Sequence, residues 1–448
     1  MSTPLFLGID LGTSGCRAIA IDAGGAIVAE ARVSLPAPRQ QDNASEQDAE
    51  LWWQAVLRVL DDLSARIHMQ AVRAIAVDAT SGSVLLCGAD GSPLHPALMY
   101  NDSRAGEQAA RIRAIAPAEA AAATGAGSGL AKLLWLKEQA FARHARHFLH
   151  QADWITGRLG GEFGHSDFNN ALKTGYDALS GGWPNWLDAL EVPHSWLPRV
   201  HAPGTPLTRI DAALAERFDL PADCRLVAGT TDSTAAFLAT GANAIGEAVT
   251  VLGSTLVLKI IGEHPVSDSR YGIYSQPLPA TGGRHADGPR WLCGGASNSG
   301  GAVLRQYFTD AQMARMQAQL EPGRPTGLDY YPLPRAGERF PVADPGLAPR
   351  LSPRPASDLR FFQGMLEGLA RIEREGYRRL QQAGAPAPLR VYTTGGGSHN
   401  PAWRKIREQL LGVPVITASR TEAAHGAALL ARQGASPLQK STTGKTGS

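Results

Sequence analysis

The chain has 448 residues, enough at roughly 100 to 200 residues per domain for two or three domains with a sizeable core in each. It is 44% hydrophobic and 19% charged, which excludes a disordered scaffold, and 43 Lys plus Arg against 41 Asp plus Glu leave a net charge of +2, too little basic excess for a nucleic-acid binder. No run of 18 apolar residues and no basic stretch ahead of the first apolar segment suggests a membrane span or export signal, so a cytoplasmic protein with no membrane partner is expected. Cys16, Cys87, Cys224 and Cys293 lie far apart without a C-x-x-C pair, as buried thiols of a reducing compartment do.

In chain order, Leu5 to Ile9 and Arg17 to Ile21 read as strands around a turn at Asp10–Gly15, and Asp22, Gly24 and Gly25 make the next turn. A helix is expected over Ala49–Leu63 with Trp53, Val56, Leu57 and Leu60 on one face, where Trp52 and Trp53 read as packing residues, then a strand at Ala74–Val77. His144, His147 and His150 are spaced i, i+3, i+6 on an expected helix; Arg143 and Arg146 beside them favour a solvated face over a metal site. Residues 180–210 read as loop, and Leu226–Ala228 as a buried strand ending at Gly229–Asp232. Ala248–Leu252 and Leu256–Ile261 repeat the first strand pair around Gly253–Thr255, so a two-domain pseudo-repeat is expected. A long amphipathic helix through Phe362 and Leu380, a strand at Leu389–Tyr392, a helix at Pro401–Leu411, a strand at Val413–Ile416 and a helix at Glu422–Ala431 follow, ahead of a Ser/Thr/Gly/Lys-rich tail from Ser436.

Two nucleotide motifs fail on inspection. Gly444-Lys445-Thr446 resembles the end of a P-loop, but Gln439 stands where its first glycine belongs, and Gly8, Gly12 and Gly15 are not spaced as G-x-G-x-x-G. Gly12, Thr13 and Ser14 offer another cradle, a tight turn whose backbone N–H groups and hydroxyls can converge on an anion. Asp10 beside it makes sense if a cation lies between carboxylate and phosphate, while a plain capped hairpin turn is the alternative. Asp232 ends a Gly-Thr-Thr turn before a small-residue helix and reads either as a general base or as that helix's N-cap. Gly395–Gly397 with Ser398, His399 and Asn400 lies between strand and helix, either as a bare surface for a flat ring or as a turn without a ligand.

Taken together these elements resemble the FGGY carbohydrate kinases, of the actin, hexokinase and Hsp70 superfamily, over residues 5–434. The family's first phosphate motif resembles Gly8-Ile9-Asp10-Leu11-Gly12-Thr13-Ser14, its second Val251-Leu252-Gly253-Ser254-Thr255, and its adenosine motif Thr394–Asn400 followed by Trp403. A signature helix is similar to Lys132–Gln139, with Gly129 where Ser, Thr or Pro is usual. The likeness is densest to the short D-ribulose kinase branch, some members of which are xylulose-kinase-like, at Asp78–Cys87, Gln151–Trp154, Ala228–Ser233, Gly294–Asn298 and Leu328–Pro334.

The resemblance implies an α/β fold of two actin/hexokinase/Hsp70-like (ribonuclease H-like) domains with an interdomain cleft. The first would span 1–239, completed by a helix at about 422–436, and the second 240–421, with 437–448 a disordered tail. It implies ATP and Mg²⁺ as cofactors and a small-molecule sugar as partner, with oligomeric state open. Asp232 would be the base, Asp10 and Thr13 would serve metal and γ-phosphate, and Asp10 and Asp232 would face the metal. Ser81, Asp10, Asp232 and Asp102 would hold the sugar, although a structural turn is the alternative at Tyr100–Arg104. Gly12, Thr13, Ser14, Gly253, Ser254, Thr255 and Gly295 would hold the nucleotide, its adenine lying against Gly396, Gly397, Asn400 and Trp403. The expected reaction is phosphorylation of a terminal hydroxyl of D-ribulose, with a base of ordinary carboxylate pKa. Xylulose or another ketose or polyol is the alternative acceptor, and a nucleotide-dependent binding protein of the same fold an alternative class.

Overall fold

The computed structural model describes residues 3–280 and 288–435; the expected tail, its P-loop-like residues and the last residue of the expected terminal helix lie outside them. The chain builds two six-stranded sheets. In the first, β1 (Leu5–Leu11), β2 (Gly15–Ile21) and β3 (Ile27–Ser34) form an antiparallel meander. After helix α1 (Ala49–Ser64), β4 (Val72–Ala79) joins β1 in parallel. Helices α2 (Gly129–Lys137) and α3 (Gln151–Gly160) follow, then β5 (Pro206–Arg209), β6 (Arg225–Thr231) and α4 (Asp232–Ala239), giving the order β5-β6-β4-β1-β2-β3.

The second half repeats this. A hairpin of β7 (Glu247–Leu252) and β8 (Leu256–Gly262) is followed by β9 (Tyr274–Pro277) and β10 (Trp291–Ser297). The long α5 (Asp358–Gln382) then leads to β11 (Arg390–Thr394), α6 (Pro401–Leu411), β12 (Val415–Thr417) and α7 (Ala423–Ala435). The order is β9-β10-β8-β7-β11-β12, with β11 parallel to β7 as β4 is to β1. The pseudo-repeat expected from two similar turns is therefore a repeat of sheet topology.

Local chemistry explains the helices that matter. Asp48 caps α1 by accepting from Glu50 N, and its buried face is Trp52, Val56, Val59, Leu60 and Leu63, with Leu57 only half-buried. In α5, Phe361, Phe362, Met365, Leu366, Leu369, Ile372 and Leu380 are buried at helical spacing against the second sheet. The C-terminal α7 packs on β1, β4 and α4 of the first sheet, far from its neighbours in sequence. That approach needs bare backbone: a Cβ on Gly8 would strike the Ala424 carbonyl, and one on Gly426 the Ala235 carbonyl. Phe237 and Leu238 of α4 and Ala424 and Ala427 of α7 share a core with Val249 and Ile261 of the second sheet, so apolar packing joins the two halves.

A further, five-stranded sheet is built from Arg39–Gln41 and Ala44–Gln47, ahead of α1, and from a lobe inserted between β4 and β5, in which His147–His150 is a strand paired with Val84–Cys87. This corrects the helix expected through His144, His147 and His150: His144 ends a short 3₁₀ turn and His150 is buried rather than solvated. Three residues at i, i+3, i+6 mark one helical face only if the backbone is helical, and Phe148 and Leu149 between them are apolar enough to pair as a strand. The four cysteines are free and buried, and no described helix is long and apolar enough to cross a membrane.

Candidate active site

Three aspartates gather at the C-terminal ends of three adjacent parallel strands, the crevice where open α/β sheets bind ligands. Asp10 ends β1, Asp78 faces it in register on β4, and Thr230 of β6 pairs with Asp78 two residues before Asp232. Asp232 is the first residue of α4, whose N-cap is Thr231. The structure thus separates the two sequence readings of Asp232: it is not the cap, and its Oδ1 instead accepts from Ser233 N at 2.6 Å.

A cavity of about 600 Å³ connects these groups across the two halves. Asp10, Gly12, Ser14 and Arg17 line it from the first sheet, Asp232 and Ser233 from α4, and Lys259, Thr394 and Gly395 from the second half. The Gly12 turn is closed by Gly12 N donating to Gly15 O at 3.0 Å, which leaves Thr13 and Ser14 at its tip. Its counterpart in the second half is closed by Gly253 N donating to Thr255 O at 3.2 Å, with Ser254 exposed at the tip. Gly395 has φ of 81°, and a Cβ there would meet the Leu252 carbonyl at 2.7 Å, so glycine is required where the loop crosses β7.

The other expected nucleotide residues divide. Gly396 has open space on its free face, as a ring-docking glycine needs. Gly397 instead makes room for the Trp403 indole, which is 4% exposed and donates to Leu366 O at 3.1 Å. Trp403 therefore offers almost no surface for a ring to lie against and supports the loop from behind, while Asn400 Oδ1 caps α6 through Trp403 N. Gly295 lines an adjoining cavity of about 190 Å³ with Tyr274, Gln276 and Arg339, which shares Val257 and Lys259 with the first, and its free face is filled by the Phe340 ring.

On the acceptor side the Ser81 hydroxyl is shielded and makes no hydrogen bond, while its carbonyl accepts from Lys173 Nζ at 3.0 Å. A buried hydroxyl without a partner is uncommon and marks a place where a ligand group can complete the set. Lys132 Nζ, fully buried, donates to Gly82 O at 2.8 Å and Met99 O at 2.6 Å and so ties the Ser81 turn to the next loop. Gly129 at the start of that helix is explained too, since a Cβ would press on Thr174 Oγ1, and Ser128 takes the N-cap. Asp102 departs from its expected role. Its carboxylate is fully buried, accepts from Ser45 N at 2.7 Å and pairs with Arg104 at 2.7 Å, so the fold uses it and the structural-turn reading holds.

Burial sets the charges. It pushes Asp10 up to about 6, with Asp232 adding to the rise and the neighbouring Asp78 and Arg17 opposing it. It pushes Asp78 well above the carboxylate range, helped by the charges of Asp10 and Asp232. Asp232 is also raised by burial, against the pull of the Ser233 amide, Lys173, Lys259 and the Ser81 amide, so its carboxyl is not the ordinary one expected from sequence. Burial lowers Lys259 to about 8, with Asp232 opposing. Both groups line the open cavity, so protein surrounds them while their tips still meet solvent.

Three residues that matter here were not singled out from sequence: Asp78, Lys173 and Lys259. One signal was available. Only Lys132, Lys137, Lys173, Lys259, Lys405, Lys440 and Lys445 are lysines in a chain with 43 Lys plus Arg; of these Lys259 lines the cavity, while Lys173 and Lys132 hold the Ser81 turn through backbone carbonyls. Among the described residues no three His, Cys, Asp or Glu side chains converge tightly enough to chelate an ion by themselves. Mg²⁺ takes one or two carboxylates and completes its shell with water and phosphate oxygens, and the paired carboxyls of Asp10 and Asp78 fit such a cation.

Two pseudo-repeated α/β halves thus bring one tight turn each, and an aspartate at the head of a helix, to a single cleft. Residues 5–239 match the N-terminal domain and residues 248–434 the C-terminal domain of the FGGY family of carbohydrate kinases. The chain belongs to that family and is an ATP-dependent sugar kinase. Xylulose kinase of Escherichia coli (strain K12) is 26% identical over 97% of this chain and 90% of its own length. L-fuculokinase of Salmonella typhi is 26% identical over 93% of this chain and 89% of its own. Among solved structures, a xyloylose kinase from Brucella ovis superposes with a TM-score of 0.85 at 24% identity, covering 96% of this chain and 90% of that one.

Proposed function

We propose that the chain transfers the γ-phosphoryl group of ATP to a terminal hydroxyl of a ketose, converting D-ribulose to D-ribulose 5-phosphate. The observation that carries the reading is the position of Asp232. It shares one cavity with Asp10 and the Gly12 turn, and takes a hydrogen bond from the backbone of Ser81, whose hydroxyl waits for a partner. Asp232 would orient the acceptor hydroxyl and accept its proton as the oxygen attacks phosphorus. A loose transition state makes the hydroxyl acidic late, so orientation contributes more than base strength, and a raised carboxylate pKa brings the base nearer to working pH.

The Gly12–Ser14 and Gly253–Thr255 turns would hold the phosphates from opposite halves, with Thr13 at the transferred group and Gly396 under the adenine. Asp10, with Asp78 behind it, would hold Mg²⁺, which when bound neutralises phosphate charge. Trp403 and Asn400 keep the adenine loop in shape from beneath.

D-ribulose is favoured by the dense motif likeness of Asp78–Cys87, Ala228–Ser233 and Gly294–Asn298 to the short D-ribulose kinase branch. The xylulose kinases among the relatives favour D-xylulose as the second reading. Membership of a carbohydrate kinase family leaves the nucleotide-dependent binding protein without support. An ADP-release assay with Mg-ATP separates the acceptors, using D-ribulose, L-ribulose, D-xylulose, L-xylulose, ribitol and glycerol and a sugar-free control. Selective turnover of D-ribulose is expected; preference for D-xylulose by tenfold or more in kcat/KM would overturn the assignment.

A further inference from the structure

We infer that Lys259 is a further acceptor-contacting residue, the one that the second half supplies to a sugar site otherwise built by the first. The inference rests on the sugar-kinase class of the chain and not on which ketose it takes.

Strand alternation places the side chain. On β8, Leu256, Leu258 and Ile260 are buried in the second core, while Val257 and Lys259 face the cleft and line its cavity. Thr255, in the phosphate turn, falls on that same face. At about 3.4 Å per residue, Lys259 lies on the order of 13 Å further along the strand than Thr255. The side chain therefore stands away from the phosphate turn, on the side of Asp232 where Ser81 and Lys173 lie.

From there it crosses between the halves. Its Nζ donates to Ser233 O at 3.2 Å and Ser233 Oγ at 3.1 Å, and Gln276 Oε1 lies at 3.4 Å. Ser233 is exposed and follows Asp232 directly, so these contacts hold the ammonium beside the base without sealing it off. An ammonium has three N–H donors and no acceptor, so it suits the lone pairs of a sugar hydroxyl or carbonyl oxygen, which can replace the Ser233 hydroxyl as partner. Lys173 reaches the same base from the inserted lobe, so two cations flank Asp232 from opposite halves. Burial between Asp232 and Lys173 depletes the water around Lys259, which strengthens a hydrogen bond to an incoming oxygen.

The consequence is that both halves contribute to recognition. An acceptor held by Ser81 and Asp232 on one half and Lys259 on the other spans the cleft along the crossing that Lys259 makes to Ser233 in its absence.

The test uses Lys259→Met, which keeps the apolar stem and removes the donors, and Lys259→Arg, which keeps the charge. Wild type is assayed first to identify its sugar; turnover of no sugar by wild type would remove the kinase reading and the role of Lys259 with it. With that sugar, Lys259→Met is expected to raise the acceptor KM about 10- to 100-fold, the scale of one hydrogen bond from a charged group. The ATP KM is expected to stay within threefold, and Lys259→Arg to recover at least part of the acceptor affinity. Should Lys259→Met fail to fold, judged by its circular dichroism and melting curve, the Lys259→Arg acceptor KM decides alone, since a planar fork cannot reproduce a compact ammonium and is expected to raise it threefold or more. An acceptor KM of folded Lys259→Met within twofold of wild type, a loss confined to the ATP KM or to kcat, or, where Lys259→Met does not fold, a Lys259→Arg acceptor KM less than threefold above wild type, would overturn the inference.

Discussion

Asp10 and Asp78 face each other across β1 and β4 at the same level of the sheet, and Asp78 is fully buried with neither carboxyl oxygen in a formed hydrogen bond. A buried acid whose neighbour is another carboxyl, that of Asp10, costs stability, and burial together with the charges of Asp10 and Asp232 pushes its proton affinity up. Such a group is retained where it serves a ligand rather than the fold.

Replacement of Asp78 by Asn keeps the shape and removes the acid. In the absence of nucleotide and metal at pH 8, Asp78→Asn is expected to be more stable than wild type, because it removes a buried ionisable group from beside Asp10 and Asp232, while its kcat falls at least tenfold. Melting temperature and turnover measured on one preparation decide the matter. A lower melting temperature with intact kcat would show Asp78 to be a structural residue.

A second buried pair has the opposite character. Glu373 of α5 and Arg407 of α6 have side chains 1% exposed and joined in a two-point pair at 2.6 and 2.7 Å. Glu373 also accepts from Thr250 Oγ1 of β7 at 2.6 Å, and Arg407 donates to Thr393 Oγ1 of β11 at 2.8 Å. The network ties the strand before the Gly395 turn to the helix after it. Removal of one partner strands the other charge, so Glu373→Ala is expected to cost about 3 to 5 kcal/mol. The double change Glu373→Met with Arg407→Met is expected to recover most of that loss. Denaturant midpoints of the three variants test this, and a double variant no more stable than the single would refute it.

Features carried by consecutive residues were the legible ones. The Gly12–Ser14 and Gly253–Thr255 turns and the glycines at 395–397 each announce themselves within a few residues, because turn geometry is local. The two-domain kinase fold followed from the order of such pieces. Asp78, Lys173 and Lys259 carry no local pattern: one is a polar residue in an apolar strand, one lies in a single 3₁₀ turn, and one interrupts the outward face of β8. Only the sheet topology brings them to Asp232. Asp102 misled for the converse reason, since an acidic turn residue looks the same in sequence whether it faces a ligand or an arginine two residues away. Trp403 was placed in the right motif but on the wrong side of the loop, because which face of Gly397 it fills depends on the packing of α5.

His150 predicts a pH dependence. It is buried at the start of α3, shares a hydrogen bond with Thr174 Oγ1 at 3.0 Å, and is lowered to about 3 by burial and by the charges of Lys173 and Lys132. A histidine whose folded pKa lies below its unfolded value of about 6.5 takes up a proton only on unfolding, so its contribution to stability is present above that value and lost as pH falls. The loss approaches about 1.4 kcal/mol per pH unit between pH 6 and 4. His150→Gln, which cannot titrate, is expected to flatten that part of the stability profile, even if it is less stable at pH 8. Parallel profiles for variant and wild type from pH 8 to 4 would exclude His150 as the source.

Asp232 carries the chemical reading, and its replacement by Asn isolates the base from the binding site. The amide keeps the size of the side chain and an oxygen for the Ser233 N–H, so fold and ATP binding are expected to survive. What it loses is the capacity to accept the acceptor's proton, a contribution on the order of 10²- to 10⁴-fold in kcat. Loss of the negative charge also leaves Lys173 and Lys259 facing one another without compensation, since Asp232 raises the proton affinity of both. Asp232→Asn should therefore release protons from that pair at lower pH than wild type does. The measurement is kcat with the preferred sugar together with ATP affinity by calorimetry. Turnover within tenfold of wild type, at unchanged ATP affinity, would remove Asp232 from the role of base.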